Sequence, residues 1–352
     1  LSRKNPPKQL LRITNADKSM LAECIDHIEP LIPPENIFVI TGHQLTDAIR
    51  ESGELNIPAK NILGEPHKRN TTGALIYAAA NILATKGENA TETTMAILTA
   101  DHQIEDAQAY RSSVEAAMEA AEKNDVLVTM GITPNRPETG YGYIELPEHS
   151  TPMDKSQQGQ SIYPVVQFRE KPDQQTAESY VKSDRFLWNS GMFFWKLNTF
   201  LRELKQAQPE MYAILTDITE ALKAQDTDKA SQRFSELEDI SIDYALMENA
   251  KDVAVVPARF AWDDVGAWDA LDRTMEKDAD GNVCIGDPVL LNTSNSIIYN
   301  APGKDRMAVG VAQCDGLTVV VAEDAVLVIP KESAQDVKKL LKNVKEQSPE
   351  KT

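Results

Sequence analysis

Short apolar segments alternate with amphipathic ones from Met20 onward, and this alternation limits the possible folds more than any other feature. Apolar residues recur every three or four positions in the predicted helices and run together in the predicted strands. The predicted helices cover 20–31, 72–83 and 106–122, and the predicted strands cover 36–40, 61–63, 95–98 and 126–131. This order predicts an α/β fold with a Rossmann-like, mostly parallel mixed sheet. Ligands bind such sheets at the carboxyl ends of the strands, so functional residues should directly follow strands.

The pattern changes near residue 280, where short strands separated by Gly, Asn and Ser begin. Before it come predicted strands at 141–145, 165–170 and 191–195 and a helix-rich stretch at 201–247. After it come predicted strands at 283–285, 289–291, 296–299, 307–311, 317–321 and 326–329 and a helix at 333–344. A chain of 352 residues exceeds the size at which one core usually stops growing. We therefore predict a catalytic domain over residues 1–279 and a small β-rich domain over 280–352 that ends in a helix.

Charge and cysteine content exclude several classes of protein. A net charge of -18 argues against nucleic-acid partners, because these require a basic surface. No apolar run is long enough to cross a bilayer, and the first residues do not form a signal peptide. The three cysteines are odd in number and lack metal-ligand spacing, so we interpret them as reduced. We expect a cytoplasmic protein without membrane or nucleic-acid partners.

Two aspartates lie where a metal ion could bind. Asp101 directly follows the predicted strand at 95–98, and Asp264 lies in a segment with a Gly turn before helical sequence. Mg²⁺ is usually held by one or two carboxylates together with substrate phosphates, so Asp101 and Asp264 are the candidate ligands. We choose Asp264 over Asp263, although spacing alone does not separate them. The alternative is that these aspartates cap the helices that follow.

A turn between the strand at 61–63 and an Ala-rich helix could bind a nucleotide. Helix N-termini favour an anion or a base edge, and Asn70 and Thr71 lie there either as ligands or as ordinary caps. The Glu65 carboxylate could accept hydrogen bonds from guanine N1–H and N2–H₂ and so discriminate against adenine. At the start of the chain, Arg3 and Lys8 belong to a group of three cations. Such a group suits phosphates, but solvated termini also carry them.

Two further segments could contact a sugar phosphate. Glu170-Lys171-Pro172 ends a predicted strand, and Pro172 should hold Lys171 in an extended conformation that can point into a cleft. A solvated, salt-bridged turn is the commoner interpretation of such a tripeptide. Asn189 could hydrogen-bond sugar hydroxyls beside the Trp188 ring, or the segment could be a polar turn before a strand.

Taken together, these segments resemble the mannose-1-phosphate guanylyltransferases of the sugar nucleotidyltransferase superfamily over nearly the whole chain. The matching segments are Leu1-Ser2-Arg3, Pro7-Lys8-Gln9, Glu65-Pro66, Arg69-Asn70-Thr71, Ala100-Asp101-His102, Glu170-Lys171-Pro172, Trp188-Asn189-Ser190-Gly191, Ser241-Ile242-Asp243-Tyr244 and Trp262-Asp263-Asp264-Val265-Gly266. The resemblance implies the nucleotide-diphospho-sugar transferase fold and transfer of GMP from GTP to mannose 1-phosphate, with release of pyrophosphate.

The resemblance also implies a role for each candidate. Asp101 and Asp264 would hold Mg²⁺, and Lys8 and Lys171 would contact the nucleotide phosphates and the sugar phosphate; these four are the expected catalytic residues. Nucleotide binding would involve Arg3, Lys8, Glu65, Asn70 and Thr71, and sugar-phosphate binding Gly142, Glu170, Lys171 and Asn189. The small β-rich domain would help to form a homodimer.

The sequence departs from the family pattern in three places. Thr72-Gly73 replaces the usual Ala-Pro, and Thr99 replaces a Pro. The glycine-rich signature is absent before Leu1, and we expect the natural protein to carry it there because a triphosphate-binding loop needs glycines. Two alternatives stay open: a guanylyltransferase for another hexose or heptose 1-phosphate, and a non-catalytic regulatory homologue that binds GDP-mannose.

Overall fold

The computed structural model describes residues 7–15, 17–149, 151–300, 307–322 and 325–348. The helices of this part of the chain are α1 (Met20–Ile28), α2 (His43–Ser52), α3 (Asn70–Lys86), α4 (Ala107–Asn124), α5 (Gln174–Lys182), α6 (Leu197–Ala207), α7 (Pro209–Lys223), α8 (Thr227–Ser235), α9 (Ala270–Thr274) and α10 (Val337–Gln347). A π-helical turn covers Asp243–Met247. Short 3₁₀ segments cover Lys8–Leu10, Pro34–Asn36, Ala59–Asn61, Gly87–Glu92 and Lys331–Asp336.

The strands of the described residues form one large sheet and several small ones. They are β1 (Val39–Gly42), β2 (Ile62–Glu65), β3 (Thr94–Ile97), β4 (Gln103–Ile104), β5 (Leu127–Ile132), β6 (Gly142–Glu145), β7 (Asp154–Lys155), β8 (Ser161–Pro164), β9 (Gln167–Glu170), β10 (Phe186–Lys196), β11 (Val253–Pro257), β12 (Trp262–Asp263), β13 (Val283–Ile285), β14 (Val289–Leu291), β15 (Ile297–Asn300), β16 (Gly310–Ala312), β17 (Leu317–Val321) and β18 (Val326–Pro330).

The chain forms two compact units that do not follow chain order. The α/β unit comprises Ile25–Thr99 and Asp106–Phe260, and the β-rich unit comprises the described parts of Leu1–Cys24, Ala100–Glu105 and Ala261–Thr352. The predicted domain boundary between residues 279 and 280 lies within the β-rich unit and stays a prediction.

The α/β unit contains an eight-stranded mixed sheet in the order β7-β8-β11-β5-β10-β6-β9, with β3 also paired to β10. Pairing directions make β3, β5, β6, β7 and β11 run one way and β8, β9 and β10 the other. All residues of β5 are buried, so helices or loops cover both of its faces. One core packs α3, α6, α7 and α8 against the sheet around the buried Trp195 and Phe200, and α4 packs on β3, β5, β10 and β11.

In the β-rich unit, successive chain segments contribute parallel strands to two small sheets. β13, β15 and β17 pair in parallel, as do β14 and β16, whereas β18 runs antiparallel to β17. The main core of this unit packs Val283, Ile297 and Val320 against Trp268 and Leu271 from the segment around α9. Two later stretches of the chain, Ala100–Glu105 with Asp101 and the described part of Ala261–Thr352 with Asp264, therefore belong to this unit.

The predicted α/β class, mixed sheet and β-rich C-terminal region are confirmed. Five of the eight strands run in one direction, as expected, but among the described strands only β5 and β11 are parallel neighbours in this sheet. The strand predicted at 36–40 begins only at Val39, because Pro34 starts a 3₁₀ turn. Helix α2 was not predicted. No helix among the described residues combines the length and apolarity needed to span a membrane.

Candidate active site

Both metal-ligand candidates lie in the β-rich unit, next to the same lysine. The Lys8 ammonium donates hydrogen bonds to the main-chain carbonyls of Asp101, at 2.7 Å, and Asp264, at 2.6 Å. It also lies 3.3 Å from Asp101 Oδ2, which accepts a hydrogen bond from Gln9 Nε2. The Lys8 side chain is only 13% exposed. Asp101 and Asp264, which lie 93 and 256 positions after Lys8 in the sequence, therefore both contact its buried positive charge.

A short antiparallel ladder holds the two aspartate segments together. β4 pairs with β12 in the register Trp262 to Ile104 and Asp263 to Gln103. Beside the ladder, Trp262 Nε1 donates a 3.0 Å hydrogen bond to His102 Nδ1. Burial lowers the pKa of His102 to about 4, the nearby Lys8 adds to this, and Asp101 opposes it. His102 is therefore a neutral acceptor at pH 7 that orients the Trp262 ring.

The structure separates the roles of the two adjacent aspartates. Asp263 is buried, and its carboxylate binds Arg273 through Nε at 3.1 Å and Nη2 at 3.3 Å and also accepts from Val265 N. Val265 has a positive φ of 45°, so this contact helps to hold a strained turn. Asp264 Oδ1 accepts from Gly266 N within the same turn. Asp263 is thus committed to an internal ion pair, which favours Asp264 as the ligand.

Neither aspartate caps the helix that follows it. Asp106 caps α4 by accepting from Gln108 N and Ala109 N. The N-cap residue of α9 is Asp269, and it makes no side-chain capping bond. The capping alternative for Asp101 and Asp264 is therefore wrong.

The donor set around Lys8 fits a hard divalent cation. Asp101 and Asp264 supply carboxylate oxygens, which Mg²⁺ prefers. Within the described ranges, His, Cys, Asp and Glu side chains form no group of three or more that could hold a metal alone. A metal held by these two residues would complete its coordination with substrate or water oxygens.

A second cluster forms in the α/β unit at the ends of β6 and β9. Gly142 pairs with Glu170 across these strands, and a Cβ on Gly142 would lie 2.5 Å from Glu170 Oε2 and 3.6 Å from Asn189 Cβ. Glycine at this position therefore leaves the space that the Glu170 carboxylate uses. The Lys171 ammonium lies 2.9 Å from Glu170 Oε1. All four predicted sugar-phosphate residues thus belong to one cluster.

Lys171 does not adopt the predicted extended conformation. Its φ is 45°, in the left-handed region, despite the proline that follows. Its backbone N–H donates to the Tyr141 carbonyl at 3.2 Å, and its ammonium pairs with Glu170. These two contacts offset the local preference that Pro172 imposes. The Glu170 carboxylate raises the pKa of Lys171, so its side chain is cationic at neutral pH.

Asn189 lies inside β10 rather than in the polar turn that was the alternative. The strand has a bulge between Asn189 and Phe193, where its register with β5 shifts, and Gly191 has a φ of 71°. Bulges re-aim side chains and are frequent beside active sites. Asn189 Nδ2 donates to Asp243 Oδ1 at 2.7 Å.

Glu65 ends β2 with an unsatisfied acceptor. Its Oε2 is buried and has no hydrogen-bond partner among the described residues. Burial, with a smaller contribution from nearby Asp239, raises the pKa of Glu65 to about 7, and Lys68 opposes the shift. A buried acceptor without a partner costs free energy unless a ligand supplies a donor. This carboxylate is therefore poised to accept from a ligand N–H.

The start of α3 is tightly packed near Glu65. Asn70 has a positive φ of 56°, and its Oδ1 accepts from Thr71 N. A Cβ on Gly73 would lie 2.4 Å from Arg69 Cβ, and Gly73 N donates to the Arg69 carbonyl. A proline at position 73 could not donate this hydrogen bond, so the Gly73 departure has a structural reason. Arg3, the remaining nucleotide-binding candidate, lies outside the described residues.

The site-residue predictions omitted several residues that the two clusters contain. His102 and Arg273 support the aspartates in the β-rich unit. Asp243 contacts Asn189 in the α/β unit. Asp243 was noted as part of a family motif, but it follows no strand, so the strand-end rule could not select it.

Comparisons with known proteins agree with this architecture. The Nucleotidyl transferase family profile matches residues 1–281, and the MannoseP isomerase/GMP-like beta-helix domain profile matches residues 286–344. The mannose-1-phosphate guanylyltransferase of Escherichia coli K12 is 38% identical over 98% of this chain and 70% of that protein. The alginate biosynthesis protein AlgA of Pseudomonas syringae pv. tomato is 34% identical over 99% of this chain and 69% of that protein. The crystal structure of mannose-1-phosphate geranyltransferase from Thermus thermophilus has a TM-score of 0.82 at 32% identity, covering 98% of this chain and 94% of that one.

Proposed function

Because the chain belongs to the nucleotidyl transferase family, and within it to the mannose-1-phosphate guanylyltransferases, we infer that it transfers GMP from GTP to α-D-mannose 1-phosphate. The products are GDP-mannose and pyrophosphate. The observation that carries this conclusion is identity of 33% or more to named guanylyltransferases over 98% of the chain. A phosphate oxygen of mannose 1-phosphate attacks the α-phosphorus of GTP. The bond from this phosphorus to the bridging oxygen breaks, and pyrophosphate leaves with the electron pair.

Nucleotidyl transfer of this kind uses a divalent metal, and Mg²⁺ held by Asp101 and Asp264 is the specific proposal. When bound, the metal neutralises phosphate charge. Lys8 supplies a further positive charge from its buried position between the two aspartate segments. Its role is to bind and orient the nucleotide phosphates, since this chemistry depends mainly on positioning and charge.

The Gly142, Glu170, Lys171 and Asn189 cluster is proposed to bind mannose 1-phosphate. The Glu170 carboxylate accepts from sugar hydroxyls, and the Asn189 amide donates to them. The Lys171 ammonium, which pairs with Glu170 at 2.9 Å, reaches a phosphate by exchanging partners. Its side chain is 60% exposed, so this exchange needs no repacking of the core.

Arg3, Lys8, Glu65, Asn70 and Thr71 are the residues proposed to contribute to nucleotide binding, with guanine read by Glu65. Guanine N1–H and N2–H₂ are donors, whereas the matching edge of adenine presents an acceptor at N1. An ionised Glu65 satisfies its buried Oε2 with guanine and leaves it unsatisfied with adenine.

Replacing Glu65 with glutamine is expected to narrow the preference for GTP over ATP by roughly tenfold or more. Glutamine presents both a donor and an acceptor, as a protonated Glu65 would.

The pKa of about 7 for Glu65 predicts a pH effect, because the carboxylate is mostly ionised above pH 7 and mostly protonated below it. The KM for GTP of the unmodified enzyme should therefore rise roughly tenfold from pH 8 to pH 6. Both effects are read from kcat/KM for GTP and ATP across this pH range.

The control is Glu51→Gln, which changes an exposed carboxylate on α2. It should keep both the nucleotide preference and its pH dependence. An unchanged GTP to ATP ratio in Glu65→Gln would show that other groups read the base.

Location, assembly and domain structure are further proposals. Cys24, Cys284 and Cys314 form no disulfide among the described residues, which suits a reducing compartment, and GTP is available in the cytoplasm, so a cytoplasmic enzyme is proposed. Residues 1–279 are proposed as the catalytic domain and 280–352 as the domain that helps to form a homodimer. Exposed apolar side chains on β14 and β18, such as Val289 and Val328, support an interface there. Sedimentation of the whole protein and of a variant that carries Val289→Ser and Val328→Ser tests this; a dimer from both would contradict it.

Sugar specificity is tested with a panel of substrates. Initial rates with GTP and mannose 1-phosphate, glucose 1-phosphate, galactose 1-phosphate or a heptose 1-phosphate should give the highest kcat/KM for mannose 1-phosphate. A higher value for another sugar phosphate would change the substrate but not the reaction class.

A further inference from the structure

Asp243 lies on a rigid turn beside the proposed sugar site. It begins the π-helical turn Asp243–Met247, whose residues Ala245, Leu246 and Met247 are buried. π-helical turns are rare and frequently occur at functional sites. Ile242 N donates to Thr71 Oγ1 at 2.9 Å, and Gln208 Nε2 donates to the Ala245 carbonyl at 3.2 Å. The Asp243 backbone is therefore held from both sides.

Two hydrogen bonds fix the orientation of the Asn189 amide. Its Oδ1 accepts from Gly191 N at 3.1 Å, and its Nδ2 donates to Asp243 Oδ1 at 2.7 Å. Thr129 Oγ1 lies 3.3 Å from Oδ1, but its single hydrogen is shared with the Met192 carbonyl at 3.1 Å. Because the Gly191 N–H can only donate, this amide cannot be flipped without losing a hydrogen bond. Among the described residues, the second hydrogen on Nδ2 has no partner, so Asn189 offers a ligand one N–H donor.

We propose that Asp243 is a positioning residue for sugar recognition, which holds Asn189 so that its one remaining N–H points to the sugar. This inference rests on the proposed function, since it gives Asn189 a sugar to bind. Without Asp243, the amide loses its carboxylate acceptor and can rotate, so the donor is no longer preorganised. A preorganised donor binds more tightly because less side-chain freedom is lost on binding.

The fixed donor gives the sugar site a defined polarity. Asn189 donates, while the Glu170 carboxylate accepts, and Gly142 lies between them. A sugar hydroxyl can accept from Asn189 and donate to Glu170, as one hydroxyl or as two adjacent ones. Asp243 therefore acts on the sugar through Asn189, and its loss should affect the sugar substrate far more than the nucleotide.

Steady-state kinetics of the whole enzyme with GTP and mannose 1-phosphate test this inference. Asp243→Ala is expected to raise the KM for mannose 1-phosphate about tenfold, because a hydrogen bond to a charged group is lost. The KM for GTP should change less than about twofold. Asp243→Asn keeps an acceptor of the same shape and should restore the KM for mannose 1-phosphate to within about threefold of the unmodified value.

The matched control is Asp252→Ala, which removes an exposed carboxylate from the same unit. It should leave both KM values unchanged. If Asp243→Ala does not fold, Asp243→Ser provides the same contrast with Asp243→Asn, because the serine side chain is too short to reach Asn189.

An unchanged KM for mannose 1-phosphate in Asp243→Ala, or equal increases in both KM values, would overturn the positioning role. A failure of the proposed function looks different: the unmodified enzyme itself would then show no turnover of mannose 1-phosphate with GTP.

Discussion

Replacing Asp101 or Asp264 with asparagine should leave the fold intact and lower kcat by about 100-fold or more. Each substitution keeps the shape of the side chain and removes one of the two charges proposed to hold the metal. The carbonyl contacts with Lys8 use the main chain, so they should survive both substitutions. Turnover is measured as pyrophosphate release at saturating substrates, and thermal unfolding checks the fold.

The control for this pair is Glu105→Gln, an exposed carboxylate next to β4. It should keep normal turnover. Near-normal turnover in Asp101→Asn or Asp264→Asn would remove that residue from the proposed metal site.

Asp263→Asn should instead lower the free energy of unfolding, because it breaks a buried ion pair. Asp263 is 6% exposed and pairs with Arg273, which is 32% exposed and also contacts Asp269. Breaking a fully buried pair costs about 3 to 5 kcal/mol, and the partial exposure of Arg273 reduces our expectation to roughly 2 kcal/mol. Urea unfolding should show a lower midpoint with an unchanged m-value.

The adjacent substitution Asp264→Asn is the matched control for stability. It should unfold at nearly the same urea concentration as the unmodified protein. A stable Asp263→Asn enzyme with lost turnover would instead assign the metal-binding role to Asp263, and the division of roles between the two aspartates would be wrong.

Residues that follow strands could be predicted from sequence alone. Asp101, after β3, was selected because strand ends line the ligand side of an α/β sheet. Glu65 and Glu170, at the ends of β2 and β9, were selected by the hydrogen bonds that Glu65 could accept from guanine and by the family resemblance of the Glu170 segment. The alternation of apolar segments also predicted α1, α3, α4 and the strands β1, β2, β3, β5, β6 and β9 to within a few residues, but it did not predict α2, α5, β7, β8 or β11. These features depend on local sequence, so local patterns can reveal them.

Features that depend on distant contacts could not be predicted. Asp243 lies in a segment that resembles a family motif, but its contact with Asn189, 54 residues away, is visible only in the structure. Lys171 has a left-handed φ because Tyr141 and Glu170 hold it, although Pro172 alone favours an extended backbone. Asp263 and Asp264 are equivalent in spacing, and only the contact with Arg273 separates them. In each case tertiary contacts determine the outcome.

Product analysis of the full-length protein tests the central claim most directly. The purified protein, GTP, mannose 1-phosphate and a divalent metal salt are incubated, and the products are identified by mass spectrometry. We expect GDP-mannose and pyrophosphate in equal amounts, with neither formed when mannose 1-phosphate is omitted. Absence of GDP-mannose, or release of pyrophosphate without mannose 1-phosphate, would contradict the assignment of this chain as a mannose-1-phosphate guanylyltransferase.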